Sequence, residues 1–218
     1  MTDYKMLDLF SGLGGASQAM EEDEDWEVFT VDFEEKFEPD ICADVLEFLP
    51  EDFEDDYDLI WASPPCDRFT VAQIGRYWDR EDGILLPEDS SVVNRIALVY
   101  HSLFLINSLG SDYWFLENPR GMLRKVIGAP RATITYCQYG DERMKPTDLW
   151  GKHPSSFPYL KCNNGDDCHE SSPRGSKTGT QGLKTSEERA KVPYGVSKVV
   201  KESVENPESE DTLEAFCS

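Results

Sequence analysis

The run KMLDLFSGLGGASQAM at residues 5–20 sets a short apolar stretch against a glycine-rich turn and then against residues that favour a helix. It predicts a buried strand at Lys5–Phe10, a tight turn at Ser11–Gly15 and a helix opening at Ala16–Met20. Glycine at such a turn lets the backbone take positive φ or pass close to a ligand. The unit is therefore a ligand-binding layout as well as a folding one.

The alternation continues downstream. Trp26–Asp32 (WEVFTVD) and Tyr57–Ala62 (YDLIWA) read as strands, the first ending in an acid and the second running into Ser63-Pro64-Pro65. Between Ser91 and Leu109 largely apolar residues, from Val92 to Phe104, recur at helical spacing, and Tyr113–Leu116 and Ala132–Cys137 read as further strands. Strands alternating with helices predict an α/β fold with a doubly wound, mostly parallel sheet. Composition shifts to Gly, Ser, Pro, Asn and Thr through residues 151–185, and a helical pattern returns at Glu187–Val204. The expected organisation is a main domain of residues 1–150 and 186–206, a small loop-rich insertion at 151–185 and a frayed tail at 207–218.

The formal net charge of -22 argues at first against a nucleic-acid partner, because phosphate binding draws on Lys and Arg. The distribution of that charge argues the other way. Residues 1–60 hold 21 acidic and 2 basic side chains, whereas residues 118–201 hold 8 acidic and 15 basic ones. The acids are interleaved with core-type residues such as Trp26, Val28 and Phe48, which marks a folded acidic surface and suits a host of very high salt. No apolar run approaches the roughly 20 residues a bilayer crossing needs, and the amino terminus lacks an export layout. The expectation is a cytoplasmic protein with no membrane partner, no obligate protein partner and reduced thiols.

Four places carry chemistry. The turn Phe10-Ser11-Gly12-Leu13-Gly14 follows a strand, and Asp32 closes the next one where acids accept from ribose hydroxyls. Each alone has an inert reading, a tight connection or a solvated acid. Ser63-Pro64-Pro65-Cys66 is more specific, since two prolines fix the backbone and hold the cysteine in one place, with Arg68 nearby to favour a thiolate. Glu117-Asn118-Pro119 follows Trp114-Phe115-Leu116, so its carboxyl stands at hydrophobic wall where burial keeps it protonated.

The run LDLFSGLGGAS, the SPPC turn, the ENP turn and the later QYG and KPT segments, in that order, resemble the cytosine-C5 DNA methyltransferases. The resemblance spans roughly residues 5–150 and resumes near 186–200. It implies S-adenosylmethionine as methyl donor, Cys66 as nucleophile at cytosine C6 and Glu117 as the acid at N3. It also implies a base swung out of double-stranded DNA. By the same analogy Phe10, Ser11, Gly12, Leu13, Gly14 and Pro64 surround the cofactor, with Asp32 at its ribose and Asp44 at its adenine.

The sequence departs from the family in three places: ENP stands for ENV, Arg143-Met144-Lys145-Pro146-Thr147 replaces a pair of arginines, and the closing asparagine motif is faint at Arg189–Tyr194. Arg143 and Lys145 are accordingly expected at the base, while Arg68, Arg120, Arg174 and Lys177 are expected on DNA. In the insertion, which the resemblance makes a shrunken target-recognition region, His153, Cys162, Cys168 and His169 form a candidate zinc set outside the catalytic machinery. An RNA cytosine methyltransferase and a non-catalytic nucleic-acid-binding relative are the alternative readings.

Overall fold

The computed structural model describes residues 3–53, 56–82, 84–170 and 185–208. Strands β1 (Tyr4–Leu9), β2 (Trp26–Asp32), β3 (Ile41–Cys42), β4 (Leu59–Ala62), β7 (Tyr113–Pro119), β8 (Ala132–Thr135) and β9 (Pro146–Lys152) form one sheet in the order β3-β2-β1-β4-β7-β9-β8. Strands β5 (Trp78–Glu81) and β6 (Ile84–Pro87) make a separate antiparallel hairpin. The helices are α1 (Gln18–Glu21), α2 (Ile74–Tyr77), α3 (Ser90–Leu109), α4 (Leu123–Val126), α5 (Ser186–Ala190) and α6 (Tyr194–Glu205). From β3 to β7 every pairing is parallel, and β9 inserts antiparallel between β7 and β8. This is the doubly wound, mostly parallel sheet that the alternation of elements predicts.

Successive strand residues point to opposite faces, and the core divides accordingly. Met6, Leu59, Trp61 and Phe115 pack beneath Ala19 and Met20 of α1 and Val196, Val200 and Val204 of α6. Leu7, Leu9, Ile60 and Ala62 pack against Leu98, Leu105 and Ile106 of α3. Helix α3 begins where the Asp89 carboxylate accepts from Ser91 N at 2.8 Å and Val92 N at 3.3 Å, and ends at Gly110 with φ of 68°. By length and composition it could cross a bilayer, contrary to the sequence expectation, but its buried stripe packs on the sheet.

Three other expectations change. The strand expected at Ala132–Cys137 stops at Thr135, and Tyr136–Tyr139 tighten into a 3-10 turn closed by Gly140 at φ 88°. The single helix expected at Glu187–Val204 is two, because Pro193 disfavours helical geometry at Val192 and itself caps α6 at φ -65°. The sheet also runs through Lys152, as β9 pairs Leu116 with Trp150 and Trp114 with Lys152.

The chain winds β1, β2, β3 in one direction and returns to β4 on the other side of β1. The carboxyl ends of β1 and β4 thus flank the point where winding reverses, which in open α/β sheets is where ligands bind.

Candidate active site

The glycine turn leaves β1 at that reversal. Phe10 N and Ser11 N donate to Val31 O at 2.9 and 3.2 Å, bending the chain toward β2. Phe10, Gly12 and Gly14 all take positive φ, of 64°, 53° and 64°. For phenylalanine that is strained backbone, held by its surroundings at a place where strain is usually tied to function. Asp32 ends β2 buried, its Oδ2 accepting from Gly12 N and its Oδ1 from Glu34 N, both at 2.9 Å. Leu13 is exposed and Ser11 half-buried on the same turn. Asp44 follows β3, where Cys42 pairs with Asp32 and Ala43 N donates to Asp32 O at 3.0 Å; it is exposed and caps a 3-10 turn by accepting from Leu46 N at 3.0 Å.

Strand β4 delivers the SPPC turn and its parallel neighbour β7 delivers Glu117. Ala62 pairs with Leu116, so Ser63 and Glu117 leave adjacent strands side by side. The Asn118 side-chain amide donates to Pro64 O at 2.9 Å, both residues being buried, and ties the two turns together.

Glu117 sits among donors. The Tyr136 hydroxyl donates to its Oε1 at 2.7 Å. Ser63 bonds it as well, with Trp61 Nε1 donating to Ser63 Oγ at 2.7 Å and leaving the hydroxyl proton for Glu117. Burial nonetheless dominates and raises the carboxyl above its ordinary range, against the charge of Lys145 and these hydrogen bonds. Burial thereby biases the Glu117 carboxyl toward its protonated form.

Burial also raises Cys66, from 9.0 to about 11, with Lys145 pulling down and Glu117 and Asp67 pushing up. Lys145, lowered by its own burial, bears on both Glu117 and Cys66. Its ammonium lies 4.6 Å from the Tyr136 ring centre and 3.3 Å from Ala190 O, and its φ is 22°. Cys66, Glu117 and Lys145 therefore form one electrostatically linked group beside the glycine turn.

The other cations are placed differently. Arg143 is gripped by the Asp141 carboxylate and donates to Arg189 O at 3.0 Å, so it braces the chain before α6. Arg68 turns from the thiol to Asp67 at 2.6 Å, Ser91 Oγ at 2.8 Å and the Tyr77 ring at 4.2 Å. Arg120 is exposed and, with Arg80, Arg124 and Lys125, lines a cavity of about 340 Å³ floored by Val71, Ile74 and Leu85. That cavity lies between the loop following Cys66 and the loop following Glu117, which meet at the Thr70–Gly121 bridge. Arg174 and Lys177 fall outside the described residues. His153 does not join the expected zinc set: it is buried, its ring stacked 4.0 Å from Phe115 and its Nδ1 3.0 Å from the Tyr159 hydroxyl.

A sequence profile described as C-5 cytosine-specific DNA methylase matches residues 4–134. The "Probable DNA (cytosine-5)-methyltransferase" of Frog virus 3 (isolate Goorha) is 30% identical over 154 residues, covering 67% of this chain and 69% of the viral one. The chain belongs to the C-5 cytosine-specific DNA methylase family. Among solved structures, one described as "putative DNA modification methyltransferase encoded within prophage" of E. coli aligns at 18% identity with a TM-score of 0.47, over 68% of this chain. The chain spans 46% of that protein's length.

In this member of the family several residues at the site escape sequence reading. Tyr136 and Ser63 hold Glu117, and nothing in their local pattern signals that role. Phe33, directly after Asp32, is 62% exposed, and an exposed ring beside a strand-end acid is a usable signal for a flat ligand. Asp8 is 1% exposed with both oxygens lacking a hydrogen-bond partner, since the Ser17 hydroxyl donates to Glu21 at 2.8 Å. The C-terminal segment docks more closely than its sequence suggests. A Cβ at Gly15 would stand 2.5 Å from Val192 O and one at Gly195 2.1 Å from Tyr139 O, while Ala19 N donates to Ser197 Oγ at 2.9 Å.

Proposed function

We propose that this protein transfers a methyl group from S-adenosylmethionine to C5 of a cytosine swung out of double-stranded DNA, with Cys66 as nucleophile and Glu117 as acid. The observation that carries the reading is the Asn118–Pro64 tether, which locks the Cys66 turn to the Glu117 turn beside a shared lysine.

The residues at the ends of β1 and β2 suit that donor. A Cβ at Gly12 or Gly14 would meet nothing nearer than 3.9 Å, so the turn leaves room for a ligand. Asp32 offers a carboxylate for ribose, Phe33 a ring for adenine, and the partnerless Asp8 oxygens a polar floor. Bound there, the cofactor supplies an electrophilic methyl group.

Cytosine C6 is a poor electrophile until N3 is protonated. Glu117, biased toward the protonated form by burial and oriented by Tyr136 and Ser63, donates to N3. The Cys66 thiolate then forms the sulfur–C6 bond, and the displaced electron pair makes C5 nucleophilic. After methylation, loss of the C5 proton restores the ring double bond and expels the sulfur. Lys145 stabilises the thiolate before attack, as a point charge without the fork of an arginine.

Arg120, Arg80 and Lys125 suit the phosphates on either side of the swung-out base, and Arg174 and Lys177 extend that set in a short target-recognition segment at 151–185. The compartment that fits is the one holding the DNA, the cytoplasm of a host cell. The test is covalent trapping: a duplex carrying 5-fluorocytosine blocks the final proton loss, so a stable adduct through Cys66 should be found by peptide mapping. Cys66→Ala should abolish both adduct and methylation while cofactor binding persists. Full methylation by that variant overturns the assignment, and an adduct formed on transfer RNA but not on duplex DNA replaces the substrate.

A further inference from the structure

The structure brings to Cys162, Cys168 and His169 a third thiol that the sequence pattern leaves apart. Cys137 follows Tyr136 in the 3-10 turn after β8, and the loop at residues 161–170 folds back over it. Thr135 N donates to Leu160 O at 3.2 Å, Cys162 N donates to Thr135 Oγ1 at 2.9 Å, and Glu170 N donates to Glu142 O at 3.2 Å. These bonds place Cys137, Cys162, Cys168 and His169 around one point, with their ligand atoms all within 4.8 Å of one another.

The separations suit a tetrahedral metal ion. Cys137 and Cys162 sulfurs are 3.1 Å apart, Cys137 and Cys168 3.6 Å, and His169 Nδ1 lies 3.7 Å from Cys162 and 3.6 Å from Cys168. Zinc–sulfur bonds of about 2.3 Å and zinc–nitrogen bonds of about 2.0 Å give a tetrahedron whose edges are roughly 3.5–3.8 Å. Three of the four separations fall within or close to that range, and the fourth is shorter, within reach of a small side-chain rotation. His169 is informative on its own: its Nε2 is buried without a partner, and the atoms facing its Nδ1 are sulfurs. A half-buried imidazole whose polar neighbours are thiols is arranged as a metal ligand, and three sulfurs with one nitrogen is a set that selects zinc.

We propose that Cys137, Cys162, Cys168 and His169 bind one structural zinc ion that fastens the 161–170 loop onto the turn carrying Tyr136. Binding releases the three thiol protons to solvent and leaves His169 neutral, coordinating through Nδ1. All four positions are filled by protein, so the ion serves stability and not catalysis. Because Tyr136 is the neighbour of Cys137 and donates to Glu117, the ion fixes one support of the acid from outside the pocket. The site stands independently of the reaction proposed above.

The test uses the full chain, expressed with zinc and purified under reductant without chelator. The expected results are about one zinc per chain and, on cobalt replacement, the intense near-ultraviolet thiolate-to-cobalt absorption together with visible bands of a tetrahedral ion. Removal of metal should lower the unfolding midpoint by on the order of 10 °C, restored by zinc but not by magnesium. Cys168→Ser should retain the fold and lose most of the zinc, and the cobalt spectrum reads the ligand set even if that variant folds poorly. Folded protein with less than a tenth of an equivalent of zinc overturns the proposal. So do cobalt uptake without thiolate absorption and a Cys137–Cys162 disulfide in place of metal.

Discussion

Burial that lifts Cys66 from 9.0 to about 11 has a direct chemical readout. At pH 8 a thiol at 11 is ionised to about one part in a thousand, against about one in ten for an unperturbed thiol, a roughly hundredfold deficit. A more basic thiolate is also a better nucleophile, with a Brønsted slope of about 0.4–0.5, which returns roughly sixfold to tenfold. Cys66 should therefore react with iodoacetamide about 10 to 20 times more slowly than a free cysteine peptide at pH 8. Its rate should climb close to tenfold per pH unit from 7 to 10, where the peptide levels off. Lys145→Gln removes the cation that favours the thiolate and should slow the reaction further. Peptide mapping by mass spectrometry separates Cys66 from the exposed Cys42. A Cys66 rate that plateaus by pH 8.5, or that is indifferent to Lys145→Gln, would refute the claim that burial rules this thiol and Lys145 opposes it.

Glu117→Gln keeps the shape but has no proton to give, and should lower kcat by about 10²–10⁴ with DNA affinity little changed; a tenfold loss or less in single-turnover assays sinks the acid role. Asp8, raised from 3.8 to about 8, is protonated in the folded state where the unfolded chain has already ionised, so its contribution is greatest below pH 4 and is lost as pH rises toward 8. Asp8→Asn should stabilise the protein by about 2–4 kcal/mol at pH 7.5 relative to its effect at pH 4, measured by urea unfolding, and an equal effect at both values would contradict the burial argument. Arg124→Met strands the fully buried Asp148 carboxylate, which otherwise also accepts from Thr133 at 2.8 Å, and should lower stability by about 2–4 kcal/mol; a neutral result in thermal unfolding would count against it. Finally, the acidic surface predicts an unfolding midpoint that rises between 0.1 and 2 M KCl, and a flat or falling curve would remove the case for a high-salt host.

The elements that are legible in the sequence are those whose signal is local. The strand before the glycine turn, the strand ending at Asp32 and helix α3 each carry apolar periodicity and a chemical stop, and each appears within a residue or two of its predicted bounds. Cys66 and Glu117 stand out because proline precedes the one and an apolar strand the other. What stays hidden depends on chain segments distant in sequence. Strand β9 exists because β7 and β8 leave it a slot, not because PTDLWGK alternates. Tyr136 reaches Glu117 across 19 residues, and Cys137 meets Cys162 across 25, with no motif linking either pair. His153 departs from the zinc expectation for the complementary reason: a histidine near cysteines in sequence finds a better home stacked on Phe115.

The order of the sheet also explains how so acidic a chain can hold a DNA-facing site. Strands β3, β2 and β1 come from the first 60 residues with their 21 carboxylates, and they lie on one side of β4. Strands β7, β9 and β8, from the part richest in Lys and Arg, lie on the other. The reversal of winding between β1 and β4 is therefore also a boundary of charge, with the glycine turn on the acidic side and Glu117, Arg120 and Lys145 on the basic side. Cys66 stands on that boundary. A polyanion approaching a molecule with this charge distribution is repelled from the β1–β3 edge and drawn to the β7–β8 edge, which is the orientation the proposed reaction needs.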